Sequence, residues 1–311
     1  MIRIGTRDSK LAVWQAEMVA AALASTGTPT EIVFIKTEGD LVLDTPLPLM
    51  GGKGVFTKAL DEALLAGRID IAVHSHKDIP TQMPAGLIIA AVFKREDPRD
   101  VLVLRQGHPL SAPEFMYQDD AQGVIATSSI RRSGQWLHRF PQHQTTDIRG
   151  NVQTRLRKLD SSTWDGAIFA AAGLKRLGLE DRISAYLDWM IPAPAQGAVA
   201  VMARKADMHV FDALEAHHDV ETGLCVQSER ACLRRLEGGC SAPIGVYVKK
   251  SADGSVFELK ASVLSPDGVV NLEAQFKAPA KDPESIVRMG THAADTLLKD
   301  GAGALLKQIR S

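Results

Sequence analysis

The stretch Thr57-Lys-Ala-Leu-Asp-Glu-Ala-Leu-Leu-Ala-Gly67-Arg-Ile-Asp-Ile-Ala-Val-His74 changes character in its middle. Thr57–Ala66 reads as a helix, Gly67 closes it, and Arg68–His74 reads as a buried strand. Upstream, Ile2–Gly5 is a short strand. Ser9–Ser25 follows as a helix with Leu11, Trp14, Met18 and Ala22 on one stripe, and Glu31–Lys36 is the next strand. Downstream, Leu87–Phe93 is another strand. Strands alternating with helices specify an α/β fold with a largely parallel sheet, covered on both faces.

The charged, proline-marked run Lys94-Arg-Glu-Asp-Pro-Arg-Asp100 reads as a crossover, after which the pattern restarts. Val124–Ala126, Thr145–Ile148 and Asp165–Ala170 are strand-like; Ser129–Phe140, Val152–Asp160 and Ala171–Leu177 are helical. Pro192 and Pro194 mark a second crossover, and Ala198–Ala203 is a strand returning to the first domain. A helix from about Asp219 to Leu236 ends at Gly238-Gly239. Strand-like Gly245–Lys250, Phe257–Leu264 and Val269–Phe276, then a helix Pro283–Leu298, make the end of the chain α+β. The expected division is 1–94 plus 195–214, 95–194 and 215–311, with no internal sequence repeat.

The 311 residues carry 36 Lys and Arg against 37 Asp and Glu, a net charge of −1. That balance argues against a general nucleic-acid or membrane-surface binder, whose affinity rests on a basic excess. Apolar runs such as Gly166 to Leu174, nine residues, stay well under the ~20 that span a bilayer. The N-terminus has no signal-like segment. Cysteines at 225, 232 and 240 form neither a disulfide framework nor a zinc-finger spacing, as expected of a reduced cytoplasmic protein.

The neutral total hides a local excess. Between Ala126 and Lys158 stand Arg131, Arg132, Arg139, Arg149, Arg155, Arg157 and Lys158 against Asp147 alone, so the window carries 7 − 1 = +6. Thr127-Ser-Ser-Ile-Arg-Arg132 and Arg149-Gly150-Asn151 each follow a strand and open a helix, as Thr6-Arg7-Asp8-Ser9 does in the first domain. Helix N-termini and arginine forks both bind carboxylates and phosphates, and in open α/β sheets ligands sit at the carboxyl ends of the strands. A polyanionic ligand is expected, with a solvated basic helix face as the plainer alternative.

His74-Ser75-His76-Lys77-Asp78 lies just beyond a strand, and in an extended chain residues 74, 76 and 78 would face one side. Three roles are open: metal ligands, a proton-transfer carboxylate at Asp78 with Ser75 and Lys77 binding substrate, or core histidines. Gly51-Gly-Lys-Gly54 lacks Walker spacing and suits a moving lid better. Cys225 and Cys232, seven apart on one helix, are expected core thiols. Cys240 lies on a loop past a helix end, where no dipole lowers a thiol pKa. It is either inert or in need of a strong electrophile or a local base.

Together these segments resemble the porphobilinogen deaminase (hydroxymethylbilane synthase) family over essentially the full chain. The carrying stretches are Gly5-Thr-Arg-Asp-Ser-Lys-Leu-Ala12, Lys36-Thr-Glu-Gly-Asp40, Gly52-Lys-Gly-Val-Phe56, Asp70-Ile-Ala-Val-His-Ser-His-Lys-Asp-Ile-Pro80 and Arg95-Glu-Asp-Pro-Arg-Asp100. They continue with Thr127-Ser-Ser-Ile-Arg-Arg132, Arg149-Gly-Asn-Val-Gln-Thr-Arg155, Ala195-Gln-Gly-Ala198 and Glu237-Gly-Gly-Cys-Ser-Ala-Pro-Ile-Gly245. The resemblance implies two doubly wound domains like the halves of a periplasmic binding protein, plus a smaller α+β domain. It implies a monomeric transferase that joins four porphobilinogens and releases ammonia, primed by one covalent dipyrromethane on Cys240, with no metal. Arg7, Ser9, Lys77, Ser128, Ser129, Arg131, Arg132, Arg149, Arg155 and Arg176 match positions that bind the acetate and propionate groups. Ser75, Thr127 and Gly150 lie in the same segments, Asp78 matches the catalytic carboxylate, and Phe56 matches an aromatic near the site. The chain departs from the family at His76, Ala126 and Met202-Ala203, where an apolar residue, Gly and Ile-Glu are usual. A non-catalytic anion-binding module would explain the two α/β domains but leaves Cys240 and the third domain idle; a metal-dependent hydrolase is the remaining alternative.

Overall fold

The computed structural model describes residues 1–36, 57–117, 122–237 and 242–310. They divide into two compact units, Met1–Glu96 with Gly197–Leu224, and Asp97–Gln196 with Cys225–Ser311.

In the first unit, β1 (Ile2–Thr6) runs parallel to β2 (Thr30–Phe34) and β3 (Ile71–Ser75), while β10 (Val199–Arg204) enters antiparallel between β3 and β4 (Leu87–Val92). The order is β2-β1-β3-β10-β4. Strand pleating sends alternate residues to opposite faces, and both faces are covered. Ile4, Ile71, Val73, Val199 and Val201 meet Ala16, Val19 and Leu23 of α1 (Lys10–Ser25). Ala72, Ala200 and Met202 meet Leu60, Ala63 and Leu64 of α2 (Lys58–Leu65). The helix-then-strand reading of residues 57–74 is therefore what the structure contains, with the strand starting at Ile71.

The second unit repeats that topology without repeating the sequence. Parallel β6 (Val124–Ala126), β7 (Gln144–Thr146) and β8 (Gly166–Ala170) are joined by β5 (Asp100–Leu104), antiparallel to β8 and to β9 (Ala185–Tyr186). Its order, β7-β6-β8-β5-β9, matches the first sheet strand for strand, with the crossover strand fourth in each. Each sheet, with its one crossover strand, has the doubly wound topology that the family resemblance implies for these two domains. Ser129 caps α4 (Ile130–Arg139) and Asn151 caps α5 (Val152–Asp160), each accepting from a backbone N–H three residues on.

The same unit holds a separate antiparallel sheet, β11 (Ile244–Lys250), β12 (Val256–Leu264) and β13 (Asn271–Pro279), against α9 (Pro283–Lys299). Gly290 lets α9 approach α8 (Val220–Arg235): a Cβ there would lie 1.8 Å from the Ser228 carbonyl oxygen. Cys225 and Cys232 are buried on α8 as expected, and burial, with Glu229 nearby, pushes the Cys232 thiol up to about 12. Elements beyond the sequence reading are β5, β9, α3 (Ala112–Tyr117), α7 (Met208–Leu214) and α10 (Ala302–Arg310), while the expected helix at 171–177 is the shorter α6 (Ala171–Lys175). No helix among the described residues is long and apolar enough to cross a membrane.

Candidate functional site

In the first unit the candidates collect at the ends of β1 and β3. Half-buried Arg7 follows β1, and Ser9 caps α1 by accepting from the Ala12 N–H at 3.4 Å. Ser75 ends β3 and accepts from the buried Gln15 amide of α1 at 2.7 Å, which ties the strand end to the helix. The extended alternation expected across residues 74–78 fails here. After Ser75 the chain tightens into a 3₁₀ turn, His76–Asp78, so the three side chains do not share a face. His74 and His76 are buried, Lys77 is half-buried and Asp78 is exposed. Burial and the nearby Arg7 charge hold the His74 imidazole down at about 4, so it is neutral at pH 7. The turn delivers one carboxylate to the surface and withdraws both histidines.

In the second unit the basic window resolves into three environments. Arg131 and Arg132 are buried and share one carboxylate that the window count omits, Asp100, which is 0% exposed. Arg131 Nη1 donates to Asp100 Oδ2 at 2.8 Å and to the Ile191 carbonyl; Arg132 Nε donates to Asp100 Oδ1 at 2.9 Å and its Nη1 to the Ile168 carbonyl. Gln196 adds a third donor at 3.0 Å. Burial pushes the Asp100 carboxyl up, but the two guanidinium charges outweigh it and hold it well below the usual carboxylate range. The junction thus carries +1 rather than +2.

Arg149 and Arg155 are half-buried around Gly150, whose φ of +112° opens the turn into α5; Arg155 Nε donates to the Gly150 carbonyl at 2.7 Å. Arg139, Arg157 and Lys158 are exposed. Arg176, at the end of α6, is buried. The hydroxyls between the strands are engaged as well. Ser128 Oγ donates to the Ile148 carbonyl at 2.7 Å, Thr127 Oγ1 accepts from the Ser129 N–H, and Ser129 Oγ accepts from the Arg132 N–H. Sequence reasoning missed Asp100, Gln196 and Gln15; the signal for the first was an aspartate closing a charged run immediately before an apolar one. Phe56, Cys240 and the Gly51–Gly54 lid lie outside the described residues. The departures at His76, Ala126, Met202 and Ala203 are all buried.

The family model for porphobilinogen deaminase, dipyromethane cofactor binding domain, matches residues 2–212, and that for the porphobilinogen deaminase C-terminal domain matches residues 223–299. The chain is 44% identical over 315 residues to porphobilinogen deaminase of Shouchella clausii, covering 100% of this chain and 97% of the relative. It is 42% identical over 310 residues to that of Syntrophotalea carbinolica, covering 98% and 95%. Among solved structures, the second substrate binding domain of a putative amino acid ABC transporter from Streptococcus pneumoniae is 11% identical, with a TM-score of 0.45 over 70% of this chain and 91% of that one.

Proposed function

The chain belongs to the porphobilinogen deaminase family, and from that premise we propose that Asp78 is its catalytic carboxylate and Cys240 the attachment point of its dipyrromethane. The protein is a transferase that joins four porphobilinogen molecules head to tail into hydroxymethylbilane. At each addition one C–C bond forms, one C–N bond breaks and ammonia leaves. The dipyrromethane, when bound, supplies the primer pyrrole to which the first unit is joined.

A primer and chain of six pyrroles carry about twelve carboxylates, two on each ring, and bidentate guanidinium pairing is the strongest neutral-pH recognition open to them. The donor set fits that group. Arg7, Ser9, Ser75 and Lys77 of the first unit bind and orient some of these carboxylates, Thr127, Ser128, Ser129, Arg131, Arg132, Arg149, Gly150, Arg155 and Arg176 of the second bind others, and Phe56 takes the part of the aromatic that the family resemblance implies. Asp78 assists departure of ammonia, offsets the positive charge that develops on the pyrrole, and removes the proton from the coupling carbon. The observation that carries this role is the 3₁₀ turn that presents Asp78 outward from the end of a rigid central strand. We further propose three domains, 1–94 with 195–214, 95–194 and 215–311, acting as a cytoplasmic monomer without nucleic-acid partners; the separate β11–β13 sheet supports the third.

The test is the intact mass of the denatured protein beside Cys240→Ser. The expected result is an excess of two pyrrole units on the wild type that the variant lacks. A bare wild-type mass that does not rise on incubation with porphobilinogen would overturn the assignment of Cys240.

A further inference from the structure

In the second unit a cleft of about 390 Å³ opens between α4 and the β11–β13 sheet, lined by His138 and Arg139 from the helix, Trp189 from the segment after β9, and Ser262, Asn271 and Glu273 from β12 and β13. None of the proposed catalytic or carboxylate-binding residues lines it. Two of its polar atoms are stranded. Ser262 is 1% exposed and its Oγ has no hydrogen-bond partner, and Asn271 Oδ1 is buried without one. Folded proteins pair nearly all such atoms, so two in one cleft call for a reason.

The orientation of each group follows from its other bonds. Asn271 Nδ2 donates to Glu273 Oε1 at 2.9 Å, which fixes the stranded atom as the carbonyl oxygen, an acceptor. His138 Nδ1 lies 2.8 Å from the Gly268 carbonyl oxygen and must carry the hydrogen, which leaves Nε2 of the neutral ring as an acceptor. The contact that sets this tautomer is backbone-tight: Gly268 has φ +74° and a Cβ there would lie 2.3 Å from the His138 N. The cleft wall is thus preformed by the chain itself. Asn271, His138 and Glu273 together form an acceptor-rich side that suits N–H or ammonium donors. The Arg139 guanidinium lies over the Trp189 ring, 5.2 Å from its centroid, and both line the cleft, which suits a ligand bearing a carboxylate.

We infer that this cleft is a second ligand site, taking an amine that also carries a carboxylate. The ammonium satisfies Asn271 Oδ1, the Ser262 hydroxyl pairs with the ligand's polar edge, and the carboxylate pairs with Arg139 beside Trp189. The inference does not depend on the catalytic assignment, since none of its residues takes part in it.

The probe is 4-(aminomethyl)benzoic acid, titrated calorimetrically into the full-length holoenzyme. The expected result is one saturable site with a Kd of about 0.1–1 mM, a range ordinary for a ligand of this size. Asn271→Leu and Ser262→Ala should each weaken it by about tenfold, the cost of one lost hydrogen bond at a desolvated contact. In the absence of probe Ser262→Ala should melt no lower than wild type, because deleting a stranded hydroxyl removes a desolvation penalty. Affinity falling while stability holds is the signature of a binding group. No saturable binding up to about 10 mM, or binding that both variants leave unchanged, would overturn the inference. So would a Ser262→Ala protein that melts lower and binds normally, since its hydroxyl would then serve the fold.

Discussion

The two α/β units share one strand order yet spend their acidic residues in opposite ways. In the first, Asp78 leaves the end of β3 on a 3₁₀ turn and stands exposed. In the second, Asp100 opens β5 at 0% exposure, held by Arg131, Arg132 and Gln196. An ion held by several charged hydrogen bonds is structurally committed, because losing a partner strands a buried charge. An exposed carboxylate is solvated, so replacing it strands no buried charge. A common topology therefore carries one carboxylate for chemistry and another for holding arginines in place.

The largest effect expected from that contrast is at Asp78. Asp78→Asn should lower the rate of hydroxymethylbilane formation by about 10²–10⁴-fold, the range for a proton-transferring group, while the melting temperature stays within a degree or two of wild type. Initial rates and a thermal melt on the same preparation decide it. Near-normal turnover would remove Asp78 from the mechanism. Normal turnover with a lowered melt would reverse the contrast with Asp100.

Asp100→Asn should do the opposite. Two buried guanidinium groups lose their shared counter-charge, and breaking a buried ion pair typically costs about 3–5 kcal/mol, so urea should unfold the variant at a clearly lower concentration. Dipyrromethane loading, read by intact mass, should fall with it, because Arg131 and Arg132 lose the group that aims them. A variant with wild-type stability would show that the arginines are held by their carbonyl contacts to Ile191 and Ile168 alone.

Much of this contrast was legible in the sequence, and its limits have physical causes. The short β9, α3 and α7 offer too little periodicity to be read, but most strands and helices of both sheets follow from apolar periodicity and glycine stops, since each such element buries its own stripe. The crossover strand β5 did not, because it begins on Asp100 at the end of a charged run, and only the distant Arg131 and Arg132 make that aspartate compatible with burial. The window from Ala126 to Lys158 gave +6 for the same reason: its counter-charge comes from another strand. The one-sided placement of His74, His76 and Asp78 failed because period-two alternation ends with the strand, and nothing local marks the tightening after Ser75. That the two sheets repeat each other was invisible in the residues, since strand order is set by crossovers rather than by any one segment.

The smallest effect sharpens the comparison within the first unit, where two buried titratable groups oppose each other. His74 is held down at about 4 by burial and Arg7. In the unfolded chain it takes up its proton near 6.5, so its contribution to stability is complete above that pH and is lost as the pH falls from about 6.5 towards 4. Asp61 is pushed up to about 6 by burial, in spite of a hydrogen bond from Thr57, and its Oδ1 has no partner. Its folded form keeps the proton that the unfolded chain releases near 4, so the unit gains stability over nearly the same pH interval on acidification. Each shift amounts to about 3 kcal/mol, and the opposed slopes of these two groups largely cancel between pH 6.5 and 4.5. His74→Gln should therefore become more stable on acidification across that window, and Asp61→Asn less stable, with the double variant flat again. Urea midpoints at pH 7.5, 6 and 4.5 measure this directly. Parallel profiles for wild type and His74→Gln would mean that the imidazole takes up its proton without unfolding the strand end.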